Sequence, residues 1–276
     1  MKNPFREYVA SLETLHRKAR LLTAPVGVSA SHSESYSNGH ERPLAMIFAP
    51  HPDDESIVGL WPLRLAREAG WRVMVCPVTL GSDPRRQSLR LEELRQAVGF
   101  LAWELMPEVN VRESVLTVAA VSASLLKYRP AALFCPHPED GHPRHREVRQ
   151  TVSDSLAQMP GDFSTVVIET EYWHTMKSPN ILVEGTATQV GDLVGALACH
   201  VGEVCRNPYH LSLPSWMVDS VRRGAEMLAG PGAQAPDFCF GTLYRLSRWC
   251  QGSLMPMAPE APLLSQKANP ARDIRG

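Results

Sequence analysis

The stretch LAMIFAPHPDDESI, Leu44 to Ile57, decides how this chain is read. It opens as an apolar run and then packs His51, Asp53, Asp54 and Glu55 into five positions. A short apolar run bounded by turn residues reads as a strand. Unpaired carboxylates are costly to desolvate, so packing gives no reason to gather three of them at a strand's end. A cation or a substrate does give one, because ligands of open α/β sheets collect at the carboxyl ends of strands. His51 and Asp54, separated by two residues in a turn, offer nitrogen and oxygen donors suited to zinc, with Asp53 directed elsewhere. Helix capping would account for Asp53 or Glu55 taken singly. It does not account for the whole cluster.

A second stretch repeats the pattern. The strand-like run Ala131 to Cys135 opens into PHPEDGHPRHREV, which carries His137, Glu139, Asp140, His142 and His145. A helical pattern follows, with Val148, Val152 and Leu156 on one face. Two such loops at the same edge of one sheet can supply the three protein ligands of an open zinc site, with the fourth position left for water.

The pairing of PHPDDE with a downstream strand, Asp-Gly-His-Pro-x-His and a helix resembles the LmbE-like (PIG-L) zinc N-deacetylases. The resemblance covers roughly Leu44 to Met159, and more loosely Trp173 to Glu184 and Ala196 to His200. It implies a zinc-dependent hydrolase that removes an N-acetyl group from an N-acetylglucosamine-type amino sugar in a conjugate or glycan. Carried over residue by residue, it makes His51, Asp54 and His145 the zinc ligands. Asp53 becomes the general base, and His142 the residue beside the oxyanion. Asp140 and Glu55 are expected to support these groups from behind. Arg90 and Glu93 match an Arg-x-x-Glu pair of the family, and Arg90, Asp83 and Arg144 are the expected substrate-binding residues. Trp173 and His174 are placed to line a sugar site or to belong to the core. His16, His32, His40 and His210 receive no role.

Two positions depart from the family pattern. Arg144 stands where an Asp usually precedes the last zinc histidine, and Leu193 stands where a Lys precedes ALxxH. Arg144 is expected either to lower the pKa of His142 through like-charge repulsion or to bind an anionic aglycone. The change at Leu193 leaves His200 without a carried-over role.

Outward from the two loops, strands and helices alternate, as in a Rossmann-like, doubly wound α/β fold with a mainly parallel sheet and helices on both faces. The spacing predicts strands over 44–49, 72–79, 131–135, 165–172 and 238–246. It predicts helices up to Ala69, around Leu91 to Leu101, and over 115–128, 189–204 and 215–229. Pro62 is expected to start or kink its helix, and Gly70 to close it. Residues 1–22 read as an amphipathic helix packed on the domain or on a partner subunit, 23–42 as a flexible linker, 43–252 as the deacetylase domain and 253–276 as a disordered, proline-rich tail.

At 276 residues the chain is long enough for one α/β domain with a substantial core. A net charge of -1 gives no electrostatic case for nucleic acid, and no apolar run is long enough to span a bilayer. Six scattered cysteines without a Cys-x-x-Cys read as reduced, which places the chain in the cytoplasm. The expected partner is a small amino-sugar conjugate, with homo-oligomerisation left open. Two other readings compete: a metal-dependent hydrolase of another amide or an ester, and a weakly active or non-catalytic metal- and sugar-binding homologue. The five intact residues His51, Asp53, Asp54, His142 and His145 speak against the latter.

Overall fold

The computed structural model describes residues 3, 5–24, 42–109 and 117–274. The strands are β1 (Leu44–Ala49), β2 (Arg72–Pro77), β3 (Glu104–Leu105), β4 (Ala132–Pro136), β5 (Thr165–Thr170), β6 (Ile181–Gly185), β7 (Phe240–Cys250), β8 (Ser253–Pro256) and β9 (Leu263–Leu264). They form one sheet in the order β3-β2-β1-β4-β5-β7-β6-β9, with β8 paired to β7. β3 through β5 of that order run parallel, while β7 is antiparallel to β5, β6 and β8. The fold is therefore α/β with a mostly parallel central sheet flanked by helices.

Alternate residues of β1 feed two separate cores, as the pleat requires. Ala45, Ile47 and Ala49 face α3 (Leu60–Ala69), α4 (Pro84–Phe100), α7 (Ala187–Ala198) and α9 (Leu213–Ala229). Leu44, Met46 and Phe48 face α5 (Val118–Tyr128) and α6 (Pro143–Leu156). A strand buried on both sides must be apolar throughout, which is why LAMIFA shows no polar alternation. Pro62 falls in the first turn of α3, where its missing N–H costs nothing, and Gly70 ends that helix with φ +71°. The helical pattern expected over 189–204 breaks at Cys199 and His200 into α7 and α8 (Val201–Arg206).

The N-terminal and C-terminal readings fare differently. An amphipathic helix, α1 (Phe5–Ala19), is present, but none of its residues is buried, so the expected packing on the domain is not seen. The linker assigned to 23–42 lies almost wholly outside the described residues. The disordered tail assigned to 253–276 is corrected. Residues 253–256 and 263–264 enter the sheet, and Leu264, Ala271 and Ile274 are buried. The reason lies in α3. The fully buried Arg64 donates to the carbonyl oxygens of Leu264 (3.0 Å), Ser265 (2.9 Å) and Ala268 (3.3 Å), and Trp61 Nε1 donates to that of Pro270 at 2.8 Å. Composition gave little sign of this, because much of what holds the segment is its backbone oxygens. Among the described residues no helix is long and apolar enough to cross a membrane.

Candidate active site

The loops after β1, β2 and β4 meet at the carboxyl edge of the sheet, where α/β folds place their ligands. β1 runs straight into His51, and α2 (Asp54–Ile57) begins three residues later. Asp54 Oδ2 accepts from the His51 backbone N–H at 2.9 Å and lies 3.2 Å from His51 Nδ1. From the other loop, His145 Nε2 comes to 3.5 Å from the same oxygen. Donor atoms of His51, Asp54 and His145 all lie within 4.8 Å of one another. Bonds of about 2.0–2.1 Å at tetrahedral angles impose donor separations of about 3.4 Å, so two imidazoles and a carboxylate spaced in this way fit a zinc ion. His145 Nδ1 faces Asp140 Oδ2 at 3.2 Å, near enough to pair although out of line for a hydrogen bond. A carboxylate behind a ligating imidazole is the arrangement that fixes its tautomer.

Asp53 stands beside this trio. It adopts φ 122°, a left-handed conformation that strains a residue with a Cβ, and its backbone N–H is tied to Glu55 Oε2 at 2.8 Å. Glu55 in turn lies 2.9 Å from His200 Nε2, both side chains buried. Burial would raise Glu55, but the His200 imidazole outweighs it and holds the carboxyl below its usual range. The Asp53 carboxylate accepts from the Tyr209 hydroxyl at 2.8 Å. Burial, with the Asp54 charge added, pushes the Asp53 pKa up to about 7. Burial would raise Asp54 as well, but the imidazoles of His145 and His51 override it and lower its pKa.

His142 caps α6, its Nδ1 accepting from the Arg144 backbone N–H at 3.2 Å, with Pro143 in the first helical turn. That bond leaves Nε2 as the protonated nitrogen of a neutral ring. Burial, then the neighbouring His145 and His51, lower the pKa of His142. Arg144 is not among the causes. Its guanidinium turns away to Glu147 at 2.5 Å, so the expected like-charge effect on His142 is corrected. Asp140 also holds the second loop, accepting from the His142 N–H at 2.7 Å.

The remaining expected residues divide. Arg90 lines the cavity, but it also braces the first loop from below, donating to the Pro52 carbonyl at 3.0 Å and passing 3.6 Å from Asp53. Gly81, with φ +92°, is required here because a Cβ would strike Arg90. Asp83 caps α4 and pairs with Arg85, and it does not line either of these two cavities. Glu93 accepts from the Gly202 N–H, joining α4 to α8. Trp173 and His174 do line the cavity.

His51, Asp53, Asp54, His142 and His145 open into a cavity of about 430 Å³, joined at His51, Arg90 and His142 to a second lobe that reaches Arg144. Four residues at the site carry no role in the sequence reading: His200, Tyr209, Glu203 and Arg206. Asn207 and Pro208 mark a turn before Tyr209, yet nothing in their spacing says that this turn folds back over Asp53.

Residues 46–156 match the PIG-L family, described as GlcNAc-PI de-N-acetylase. That match includes the five central residues. Among solved structures, N,N'-diacetylchitobiose deacetylase from Pyrococcus horikoshii is 15% identical, with a TM-score of 0.55 over 91% of this chain and 95% of its own. GalB, the 4-carboxy-2-hydroxymuconate hydratase of Pseudomonas putida, is 14% identical, with a TM-score of 0.55 over 74% of this chain and 95% of its own. The conserved protein TT1542 of Thermus thermophilus is 16% identical, with a TM-score of 0.54 over 74% and 93%. These likenesses establish the fold. No curated protein matches the chain's sequence.

Proposed function

We propose that this chain is a zinc-dependent N-deacetylase that hydrolyses the acetamide of an amino-sugar conjugate. A deacetylase and a hydratase share the fold, so the fold does not select the reaction. One observation carries the reading: His51, Asp54 and His145 converge while a fourth buried group, Asp53, stands beside them uncommitted to the trio. A zinc ion held by those three would supply Lewis acidity, polarising a carbonyl and lowering the pKa of water to about 7.

The chain's own groups do the rest. Asp53, poised near neutrality, takes a proton from water as the water oxygen bonds to the acetyl carbon. His142 Nε2–H donates to the carbonyl oxygen as negative charge develops there, a role open to a neutral imidazole. The carbon–nitrogen bond then breaks, and the departing amine takes the proton from Asp53, leaving acetate and a free amino sugar. Tyr209 and the strained backbone hold Asp53 for both transfers.

The test is direct. Zinc-loaded protein is offered methyl N-acetylglucosaminide and a panel of N-acetylglucosamine conjugates, with acetate and primary amine both quantified. Equal release of the two supports the proposal; full metal occupancy with no acetate from any conjugate refutes it.

A further inference from the structure

Glu203 of α8 is buried and pairs with two guanidiniums, Arg86 of α4 at 2.7 Å and Arg206 at the end of α8. Arg86 has a structural duty, since it ties α4 to α8 and packs against Gly202. Glu93 lies beside Arg86 at Gly202, whereas Arg206 has Glu203 alone as its hydrogen-bonded partner. It lines the main cavity together with Arg86 and is largely exposed. Each arginine commits only Nη2 to Glu203, and the other guanidinium nitrogens make no hydrogen bond among the described residues. In the second lobe the cations are already engaged, Arg144 with Glu147 and Arg90 with the Pro52 carbonyl.

Arg206 also lies near the reacting end. Arg206 precedes by three residues Tyr209, whose hydroxyl holds Asp53. Trp173 lines the same lobe, its ring edge-on to Tyr209 at 6.0 Å, and offers an aromatic surface for a sugar body. Counting histidines as neutral, Arg86, Arg90 and Arg206 balance Asp53, Asp54 and Glu203. A divalent ion at the trio would tip the whole cavity positive, which favours an anionic guest.

We infer that Arg206, with Arg86, is a specificity determinant that holds a phosphate or carboxylate on the aglycone of the substrate. The guanidinium fork suits either anion. The orientation, acetamide at the trio and anion at Arg206, rests on the deacetylase reading; the preference for an anion does not.

The experiment uses full-length, zinc-loaded protein and three probes: N-acetylglucosamine 1-phosphate, carboxymethyl N-acetylglucosaminide and the neutral methyl N-acetylglucosaminide. Binding is read by tryptophan fluorescence and turnover by acetate release, on wild type, Arg206→Gln and Arg222→Gln. The last removes the same charge from α9, outside the cavity. Wild type should bind at least one anionic probe about 10- to 100-fold more tightly than the methyl glycoside, the range of one charged hydrogen bond. Which of the two gains more identifies the anion. Arg206→Gln should bring that ratio close to one through KM, while Arg222→Gln keeps it. Equal binding of all three probes, or a ratio unmoved by Arg206→Gln, overturns the inference even if every probe is deacetylated. Selective, Arg206-dependent binding without acetate release sustains it and refutes the deacetylase reading instead.

Discussion

Replacing Asp53 with Asn should cost the protein its turnover and make its fold more stable. Lifting the Asp53 carboxyl from 3.8 to about 7 means that ionising it in the metal-free fold is unfavourable. At about 1.4 kcal/mol per pH unit, the cost is on the order of 4 kcal/mol. The folded state binds that proton more tightly than the unfolded chain does. The cost is therefore absent below about pH 3.8, grows as pH rises, and is complete above about 7. The amide introduced by Asp53→Asn would carry no charge to desolvate, and its oxygen can still accept from Tyr209, though about 1 kcal/mol more weakly. A net gain of about 2–3 kcal/mol at pH 8, and little at pH 4, follows for the variant. Turnover should fall about 100- to 10,000-fold, the worth of a general base. The assays are urea titrations of metal-free wild type and Asp53→Asn at both pH values, beside metal content and acetate release. The wild-type rate should climb with pH along a limb at or below about 7, since a bound cation lowers a neighbouring carboxyl. The variant should lack that limb. Unchanged stability at pH 8 would refute the account of Asp53 as a charge held against its solvation, and loss of metal would exchange its role with that of Asp54.

Four further outcomes are expected. His145→Ala should cut bound zinc from about one per chain to a small fraction by elemental analysis, whereas unchanged content would remove His145 from the ligand set. Tyr209→Phe should lower kcat about tenfold with KM little changed, the loss of one hydrogen bond to a charged group; a change confined to KM would make Tyr209 a substrate contact. Glu55→Gln should destabilise the fold by about 3–5 kcal/mol, because it strands His200 in the interior. His200, raised by Glu55 against its burial, stabilises fully below about pH 6.5 and less as pH climbs through its folded value, while lowered Glu55 stabilises above about 4.3 and less as pH falls. Denaturation midpoints from pH 4 to 9 should therefore peak between those limits in wild type and flatten in the variant. Arg64→Leu should leave the carbonyls of Leu264, Ser265 and Ala268 unpaired, lower the urea midpoint, and expose 253–274 to protease before the rest of the chain.

What could be read in the sequence was local. LAMIFA and AALFC announce buried strands because both faces of each must be apolar, and the loops that follow advertise their chemistry by having too many charges for packing to explain. β7 was visible as a strand but not as an antiparallel one, since side-chain alternation carries no sign of direction. β6, five residues long, was hidden within the segment WHTMKSPNILVE. Tyr209, Glu203 and Arg206 reach the site only through tertiary folding, and no spacing relates them to Asp53 some 150 positions earlier. The tail misled because the acceptors it gives Arg64 and Trp61 are backbone oxygens, which every sequence possesses.

The placement of β7 between β5 and β6 has a consequence for how the polypeptide is made. β6 cannot join the sheet beside β5, because the strand that must separate them is synthesised some 55 residues later. Arg64, paired within its own helix to Glu68, waits longer still for its remaining acceptors, the carbonyls of 264–268, to emerge from the ribosome. At about 5–20 residues per second, that interval lasts on the order of ten seconds or more. Through it the loops that carry His51, Asp54 and His145 exist, yet the half of the sheet beyond β5 and the anchor of α3 do not. The segment 46–156, which carries the family signature, is then a chemical unit without being a folding unit. The nascent chain becomes a closed structure only when its last strand docks against α3.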